Sequence, residues 1–261
     1  MANKIPVILC ADDYAYNQAA SEGILELLKR RRLSAVSCMT NMPYWKIAAM
    51  PLKEFQNQVK IGLHFNLTEG PGGISLKQLI LCSFLHRLNK QEIIAVLRTQ
   101  IEAFKAGIGR LPDFIDGHQH IHQFPIIREA LLTLYQEYYP DKQAAIRISS
   151  NGYRNDLKTS LKAFVIGLLG AQGLRKRLEK EGIPHNTAFS GIYSLSPSEN
   201  YRRVFKGFLE TIKPNSIIMC HPGAASTDKQ DPIAQAREQE LTYFRSQTFL
   251  ADCQAANVEI M

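Results

Sequence analysis

Short apolar runs alternate along this chain with longer segments in which apolar residues recur at helical spacing. Strands that alternate with helices form a parallel sheet, because each parallel strand needs a crossover connection. The pattern predicts an α/β fold, and seven or eight strands favour a distorted (β/α) TIM-like barrel over a doubly wound open sheet. The predicted strands are residues 5–10, 35–40, 60–67, 113–117, 145–148, 191–195, 216–220 and 258–261. The predicted helices are residues 18–32, 92–107, 126–138, 157–181, 198–212 and 233–256.

The length and composition fit one folded domain. A chain of 261 residues is long enough for a whole barrel, and the 45% of apolar residues can fill its core. We therefore expect a single domain over residues 1–261. Residues 70–73 are rich in turn formers and open an excursion to residue 87, which we interpret as a lid or a substrate loop.

Several classes of protein are disfavoured. The apolar stretches at residues 74–85 and 163–174 are shorter than the roughly 20 residues of a membrane span. The five cysteines are odd in number and widely spaced, which is typical of reduced thiols, so we expect a cytoplasmic protein. The net charge is +7, but the basic clusters at residues 29–32 and 175–180 sit at predicted helix ends, so we expect a small-molecule substrate and no nucleic acid. A homodimer is compatible with the sequence.

Polar residues end four of the predicted strands. In a β/α barrel the active site lies at the carboxyl ends of the strands, so these residues are the candidates for chemistry. They are Asp12 and Asp13 after VILCA, His64 in IGLHFNLTEG, the histidines of DFIDGHQHIH, and His221 in IIMCHPG.

The segment DGHQHIH carries four candidate ligands at every second position. If this segment is extended, Asp116, His118, His120 and His122 share one face. Neutral imidazole is a common metal ligand, and a ligating histidine often donates its other N–H to a carboxylate, a role open to Asp116. A solvated strand end is the alternative. The individual roles of His120 and His122 stay open.

The other candidates have ordinary alternatives as well. Asp12 or Asp13 could cap the following helix, and His64 alone would more often be a hydrogen-bonded, half-buried histidine. Two adjacent carboxylates nevertheless suit metal-assisted hydrolysis, in which one binds the cation and its neighbour contacts water or substrate. The sequence therefore favours a metal-dependent hydrolase.

Four segments together resemble those of a known family. ADDYAYNQAASEGI, GLHFNLTEG, DFIDGHQHIHQFP and MCHPG are similar in order and spacing to the signatures of the YdjC-like carbohydrate deacetylases. The resemblance implies a distorted β/α barrel that removes N-acetyl groups from amino sugars such as chitooligosaccharides, or from a hopanoid-linked amino sugar. Where the family motif reads Phe-Gly, this chain has Tyr14 and Ala15, a departure that bears on the substrate more than on the metal.

The resemblance also implies roles for particular residues. Asp13, His64 and His118 would hold a divalent cation, Mg²⁺ or Zn²⁺, and Asp12 would act as general base. His221 would donate a proton to the leaving amine, with a core histidine as the alternative interpretation. Apart from the resemblance, Arg147 ends the apolar run at residues 144–146, where it would orient Asp12 or contact substrate, unless it forms a surface ion pair.

Two other functions stay open at this point. Two histidines and a carboxylate also form the facial triad of non-haem Fe(II) oxygenases, although those sites usually lie in all-β folds. A barrel that binds carbohydrate without catalysis is the second alternative. Competent residues at every expected catalytic position disfavour it.

Overall fold

The computed structural model describes residues 4–150 and 170–261. Its strands are β1 (Ile5–Tyr14), β2 (Ala35–Cys38), β3 (Lys60–Phe65), β4 (Phe114–Gly117), β5 (Ala145–Ile146), β6 (Ala188–Ser190), β7 (Ser216–Cys220) and β8 (Val258–Ile260). Its α-helices are α1 (Gln18–Lys29), α2 (Trp45–Lys53), α3 (Leu76–Phe84), α4 (Lys90–Ile108), α5 (Ile127–Tyr138), α6 (Gln172–Glu181), α7 (Tyr201–Glu210), α8 (Ala234–Phe244) and α9 (Gln247–Ala255). A 3₁₀ segment, His118–Gln123, follows β4.

The strands form one parallel sheet in the order β5-β4-β3-β2-β1-β7-β6, and the short β8 pairs with β1. This is the order in which seven consecutive strands follow one another around a barrel, with β5 and β6 at the seam. The predicted α/β barrel is confirmed. Because all pairs are parallel, every strand points its carboxyl end to the same rim.

A side chain bridges the seam between β5 and β6. The backbone N–H of Ile146 donates to the carbonyl of Pro184 at 2.9 Å. Two residues later, the side-chain amide of Asn186 accepts from the N–H of Ile148 at 2.7 Å and donates to its carbonyl at 2.9 Å. Asn186 thus satisfies the backbone groups that a strand neighbour would otherwise pair, which explains how a two-residue β5 tolerates the barrel edge.

The turn from β1 into α1 is held by two side chains. The side chain of Asn17 caps α1 by accepting from Ala20 N at 2.8 Å. The hydroxyl of Ser21 accepts from the N–H of Ala15 at 3.0 Å. These bonds pin the segment that carries the two aspartates against the first turn of the helix.

Several predicted boundaries were wrong. Strand β1 runs on to Tyr14, and β6 lies three residues before the predicted strand 191–195, because Gly191 takes a left-handed φ of 117° and ends it. The predicted helix 233–256 is two helices, since Ser246 caps α9. The predicted helix 157–181 lies partly outside the described residues, and only α6 is observed within it.

Two helices are present that the sequence pattern did not predict. Helix α2 contains Pro51, and α3 occupies half of the excursion at residues 70–87. Within residues 4–150 and 170–261, no helix combines the length and apolar character needed to cross a bilayer.

Candidate active site

The barrel rim gathers the candidate side chains. Asp12 and Asp13 lie near the end of β1 and His64 near the end of β3, while His118 and His221 directly follow β4 and β7. Each of these four strands carries its polar residue at the carboxyl end. Parallel pairing therefore brings residues more than 200 positions apart in sequence to one rim. All five line one cavity of about 390 Å³.

An irregularity in β1 turns both aspartates toward this cavity. The pairing of β1 with β2 shifts register between Ala11 and Tyr14, and Asp13 has a left-handed φ of 64°. In a regular strand, successive side chains point to opposite faces. The bulge cancels that alternation, so both carboxylates line the same cavity at the cost of local backbone strain.

Asp13 lies between two histidines. Its Oδ1 is 3.3 Å from Nε2 of His64 and 3.0 Å from Nδ1 of His118. The three potential ligand atoms lie within 4.8 Å of one another. Although burial disfavours the carboxylate, His118 and Arg237 hold the pKa of Asp13 well below its usual range. A carboxylate and two imidazoles in this arrangement fit one divalent cation with coordination positions left for water and substrate.

Asp116 orients His64. The other ring nitrogen of His64, Nδ1, is 2.6 Å from Oδ1 of Asp116, which also accepts from Ser37 Oγ at 2.6 Å. Burial disfavours the imidazolium, but Asp116 and Asp12 raise the pKa of His64 to about 10. The Asp116 carboxylate therefore fixes the ring so that Nε2 faces Asp13, as expected for a carboxylate behind a ligating histidine.

Arg147 is fully buried and binds both neighbouring carboxylates. Its two terminal nitrogens contact Asp12 at 2.8 and 2.6 Å, and one of them lies 3.1 Å from Asp116. The surface ion pair considered for Arg147 is thus wrong. Asp12, Asp116 and Cys10 also form a potential ligand cluster. The guanidinium already supplies the cation there, and burial raises the pKa of the Cys10 thiol, which disfavours a thiolate ligand.

The DGHQHIH segment does not stay extended. Gln119 and His120 take left-handed backbone angles, so the histidines after Gly117 do not share one face. Of the three histidines in this segment, only His118 contacts Asp13. His120 lines the cavity edge-on to Phe189, whose ring centroid lies 5.7 Å away.

His122 lies behind the cavity. Its Nε2–H donates to the carbonyl of Arg147 at 2.8 Å. Because a carbonyl only accepts, Nε2 carries the proton, and burial lowers the pKa of His122 to about 4. The neutral ring therefore supports the backbone of Arg147.

His221 enters the cavity from β7. Burial lowers the pKa of its ring to about 4. Its backbone N–H donates to Oε2 of Glu240 at 2.5 Å, and the other oxygen of Glu240 accepts from Tyr193 Oη at 2.6 Å.

Helix α8 contributes residues that the motifs did not indicate. Arg237 donates to Oδ2 of Asp13 and to Asp231, each at 2.8 Å, and its guanidinium lies 5.2 Å from the Tyr16 ring centroid. A lone arginine and a lone glutamate on an ordinary helical pattern gave no sequence signal. The charge of Asp13 required a partner, but nothing in the sequence identified it.

The remaining cavity wall is mostly apolar. A second, more open cavity of about 540 Å³ shares Tyr16 and Glu69 with the first. Polar and aromatic side chains, including Asn17, Tyr44 and Gln230, line this second cavity. The apolar wall of the first consists of Leu76, Ile80, Phe124, Ile192, Leu195, Met219, Pro232 and Ile233.

Solved structures share the fold. A putative cellobiose-phosphate cleavage protein from Enterococcus faecalis aligns over 100% of this chain and 97% of its own, with a TM-score of 0.72 and 20% identity. A peptidoglycan N-acetylglucosamine deacetylase aligns over 99% of this chain and 86% of its own, with a TM-score of 0.55 and 12% identity.

Several proteins of similar sequence carry the name deacetylase. A carbohydrate deacetylase from Mus musculus is 27% identical over 85% of this chain and 79% of its own length. A chitooligosaccharide deacetylase from Proteus mirabilis is 27% identical over 54% of this chain and 58% of its own. Carbohydrate deacetylases from Danio rerio and Xenopus laevis are each 31% identical over 52% of this chain, and the matches span about half of those proteins, 48% and 49%. The family model described as YdjC-like protein matches residues 6–255, and this chain belongs to that family.

Proposed function

We propose that this protein is a divalent-metal-dependent deacetylase of N-acetylated amino sugars. One observation carries the proposal: Asp13, His64 and His118 converge in a cavity that also contains the Arg147-paired Asp12 and His221. The names of the relatives from Mus musculus and Proteus mirabilis support this reaction and a carbohydrate substrate.

The donor set fits a cation such as Zn²⁺ better than Mg²⁺. Zinc binds imidazole nitrogen and carboxylate oxygen together, whereas magnesium prefers oxygen and retains several waters. Asp13, His64 and His118 would hold the cation, which would polarise the acetyl carbonyl and make water more acidic.

The protein side chains carry the proton transfers. Asp12 accepts a proton from the attacking water, and Arg147 holds that carboxylate in place through two bonds. His221 passes a proton to the nitrogen of the departing amine, and the proton that Asp12 took from the water replaces it, so the ring ends the cycle neutral. The amide bond breaks, and acetate and the free amino sugar leave.

The cavities suit a sugar that carries an acetyl group. Apolar side chains next to the metal ligands can receive the methyl group and the apolar face of a pyranose ring. The adjoining cavity offers amide, carboxylate and phenol groups for hydroxyls of a further unit. A hopanoid-linked amino sugar would use the same reaction with another group in that space.

The facial-triad oxygenase is the second candidate, because its ligand set is the same. The Asp12–Arg147 pair is what favours hydrolysis, since an oxygenase needs no buried general base. A panel of N-acetyl and O-acetyl sugars, assayed for acetate with chelator and with Zn²⁺, Mg²⁺, Mn²⁺ or Co²⁺, tests the proposal. Acetate release without oxygen or a 2-oxoacid supports it; no acetate from any sugar with any cation overturns it.

A further inference from the structure

Glu240 is a buried carboxyl group to which the proposed reaction assigns no task. It lies on α8 with no exposed surface. Such a group is costly to bury unless it is bonded. Its two oxygens take one bond each, from the backbone N–H of His221 and from the hydroxyl of Tyr193. Both donors are neutral.

The one buried cation on the same helix is already engaged. Arg237, one helical turn earlier, binds Asp13 and Asp231. Burial accordingly raises the pKa of Glu240 to about 7. Helix α8 therefore contacts the site twice, once at Asp13 through Arg237 and once at His221 through Glu240.

Glu240 joins the ends of two strands. His221 directly follows β7, and Tyr193 lies three residues after β6. The intervening Gly191 packs on β7 so closely that a Cβ there would be 2.3 Å from the carbonyl oxygen of Met219. The chain between β6 and Tyr193 is thus packed directly against β7, the strand that His221 follows, and Glu240 accepts one bond from each side of this contact.

In the described part of the chain, no carboxylate is hydrogen-bonded to the ring of His221. Among the described residues, its buried Nδ1 has no hydrogen-bond partner, unlike Nδ1 of His64, which faces Asp116. Acid–base histidines usually need a third group that sets the ring orientation. Glu240 contacts His221 through the main chain instead: it accepts a hydrogen bond from the backbone N–H of His221.

We propose that Glu240 and Tyr193 are positioning residues for His221, which they aim at the leaving amine by fixing its backbone. The inference rests on the proposed function. It differs from a merely structural role because the effect must appear in the step that His221 serves, protonation of the leaving group, and not in cation binding.

The substitutions Glu240→Gln and Tyr193→Phe test the pair. The two bonds go to different oxygens of Glu240, and glutamine replaces one of these acceptors with an NH2 donor, so one bond is lost; phenylalanine removes only the hydroxyl donor. Glu238→Gln, exposed on the same helix, and Tyr201→Phe, which removes a hydroxyl that has no partner among the described residues, are the matched controls.

Turnover is measured with metal-loaded protein on an N-acetyl amino sugar and on an acetyl ester with a good leaving group. We expect Glu240→Gln and Tyr193→Phe to lower kcat on the amide about tenfold or more, and on the ester less than about threefold, with KM and metal content unchanged. In the His221→Ala background, Glu240→Gln should cause no further loss of kcat on the amide. Equal losses on both substrates, or additive losses, would overturn the proposal.

A second readout does not depend on turnover. The ring Cε1–H resonance of His221, assigned by its loss in His221→Ala, should shift in both test variants and stay in place in both controls. An unchanged resonance in Glu240→Gln and Tyr193→Phe would overturn the positioning role whether or not the protein deacetylates sugars. Absence of acetate release from the wild type would instead overturn the proposed function alone.

Discussion

Arg237 donates a hydrogen bond of 2.8 Å to Oδ2 of Asp13, which leaves Oδ1 for the two histidines. The two residues lie 224 positions apart. Arg237 is therefore the counter-charge that makes a buried Asp13 carboxylate tolerable before any cation is bound.

Replacing Arg237 should destabilise the metal-free protein and make its stability depend more on metal. Arg237→Met removes the arginine that pairs with the buried carboxylates of Asp13 and Asp231, a loss of about 3–5 kcal/mol for a broken buried pair. A cation at Asp13 would restore part of that stability, so the rise in Tm on adding Zn²⁺ should exceed the wild-type rise. Calorimetry with and without Zn²⁺ measures the stability of the metal-free variant and the rise in Tm. A rise in Tm equal to that of the wild type would contradict this role of Arg237.

Asp12 should be separable from the metal ligands. Asp12→Asn keeps the shape of the side chain and removes the proton acceptor, so turnover should fall by about 10²–10⁴. Metal content should stay at the wild-type level, because Asp12 lies outside the ligand set. Acetate release and elemental analysis on one preparation check this; near-normal turnover would move the base role to another group.

His122 should make the protein sensitive to acid. Burial lowers its pKa in the folded state from 6.5 to about 4, so its contribution is complete above pH 6.5 and is lost as the pH falls toward 4. For a shift of this size the loss is about 3 kcal/mol. Unfolding free energies of wild type and His122→Gln, which retains an N–H donor, should converge over that range. A constant difference would show that His122 stays charged or exposed.

Ala15 occupies a position that favours glycine. Its φ of 71° costs a non-glycine residue about 1–2 kcal/mol. In Ala15→Gly, the relief of this strain offsets the lost methyl group and the added chain entropy, so stability should stay within about 1 kcal/mol of wild type. Ala130→Gly, buried in a helix, should cost about 1.5 kcal/mol or more. Denaturant unfolding gives the free energy of unfolding of both variants. Equal losses of stability in Ala15→Gly and Ala130→Gly would contradict the backbone strain at Ala15.

The strand-end rule made much of the site predictable. Asp13, His64 and His118 lie at the ends of three different strands, and parallel strands bring their carboxyl ends to one rim. The bulge in β1 was not predictable, because it depends on pairing with β2 and leaves no local signature. The same holds for Gln119 and His120, whose left-handed backbone broke the expected alternation.

The other omissions have local causes. Helix α2 contains a proline, which argues against a helix in any sequence pattern. Helix α3 carries apolar residues on most of its surface, including exposed Leu81, so helical spacing was not visible. Arg237 and Glu240 became functional candidates only when packing of α8 brought them to the rim.

The central claim is that Asp13, His64 and His118 hold one catalytic cation. The direct measurement is a titration of metal-free protein with Zn²⁺, in which acetate release from an N-acetyl amino sugar and bound metal are followed together. We predict that release rises in proportion to bound metal and reaches a plateau near one cation per chain. Asp13→Asn, His64→Ala and His118→Ala should each lower both quantities, while His86→Ala, an exposed histidine, should lower neither. Full acetate release by metal-free wild type, or unchanged metal in all three ligand variants, would contradict the account.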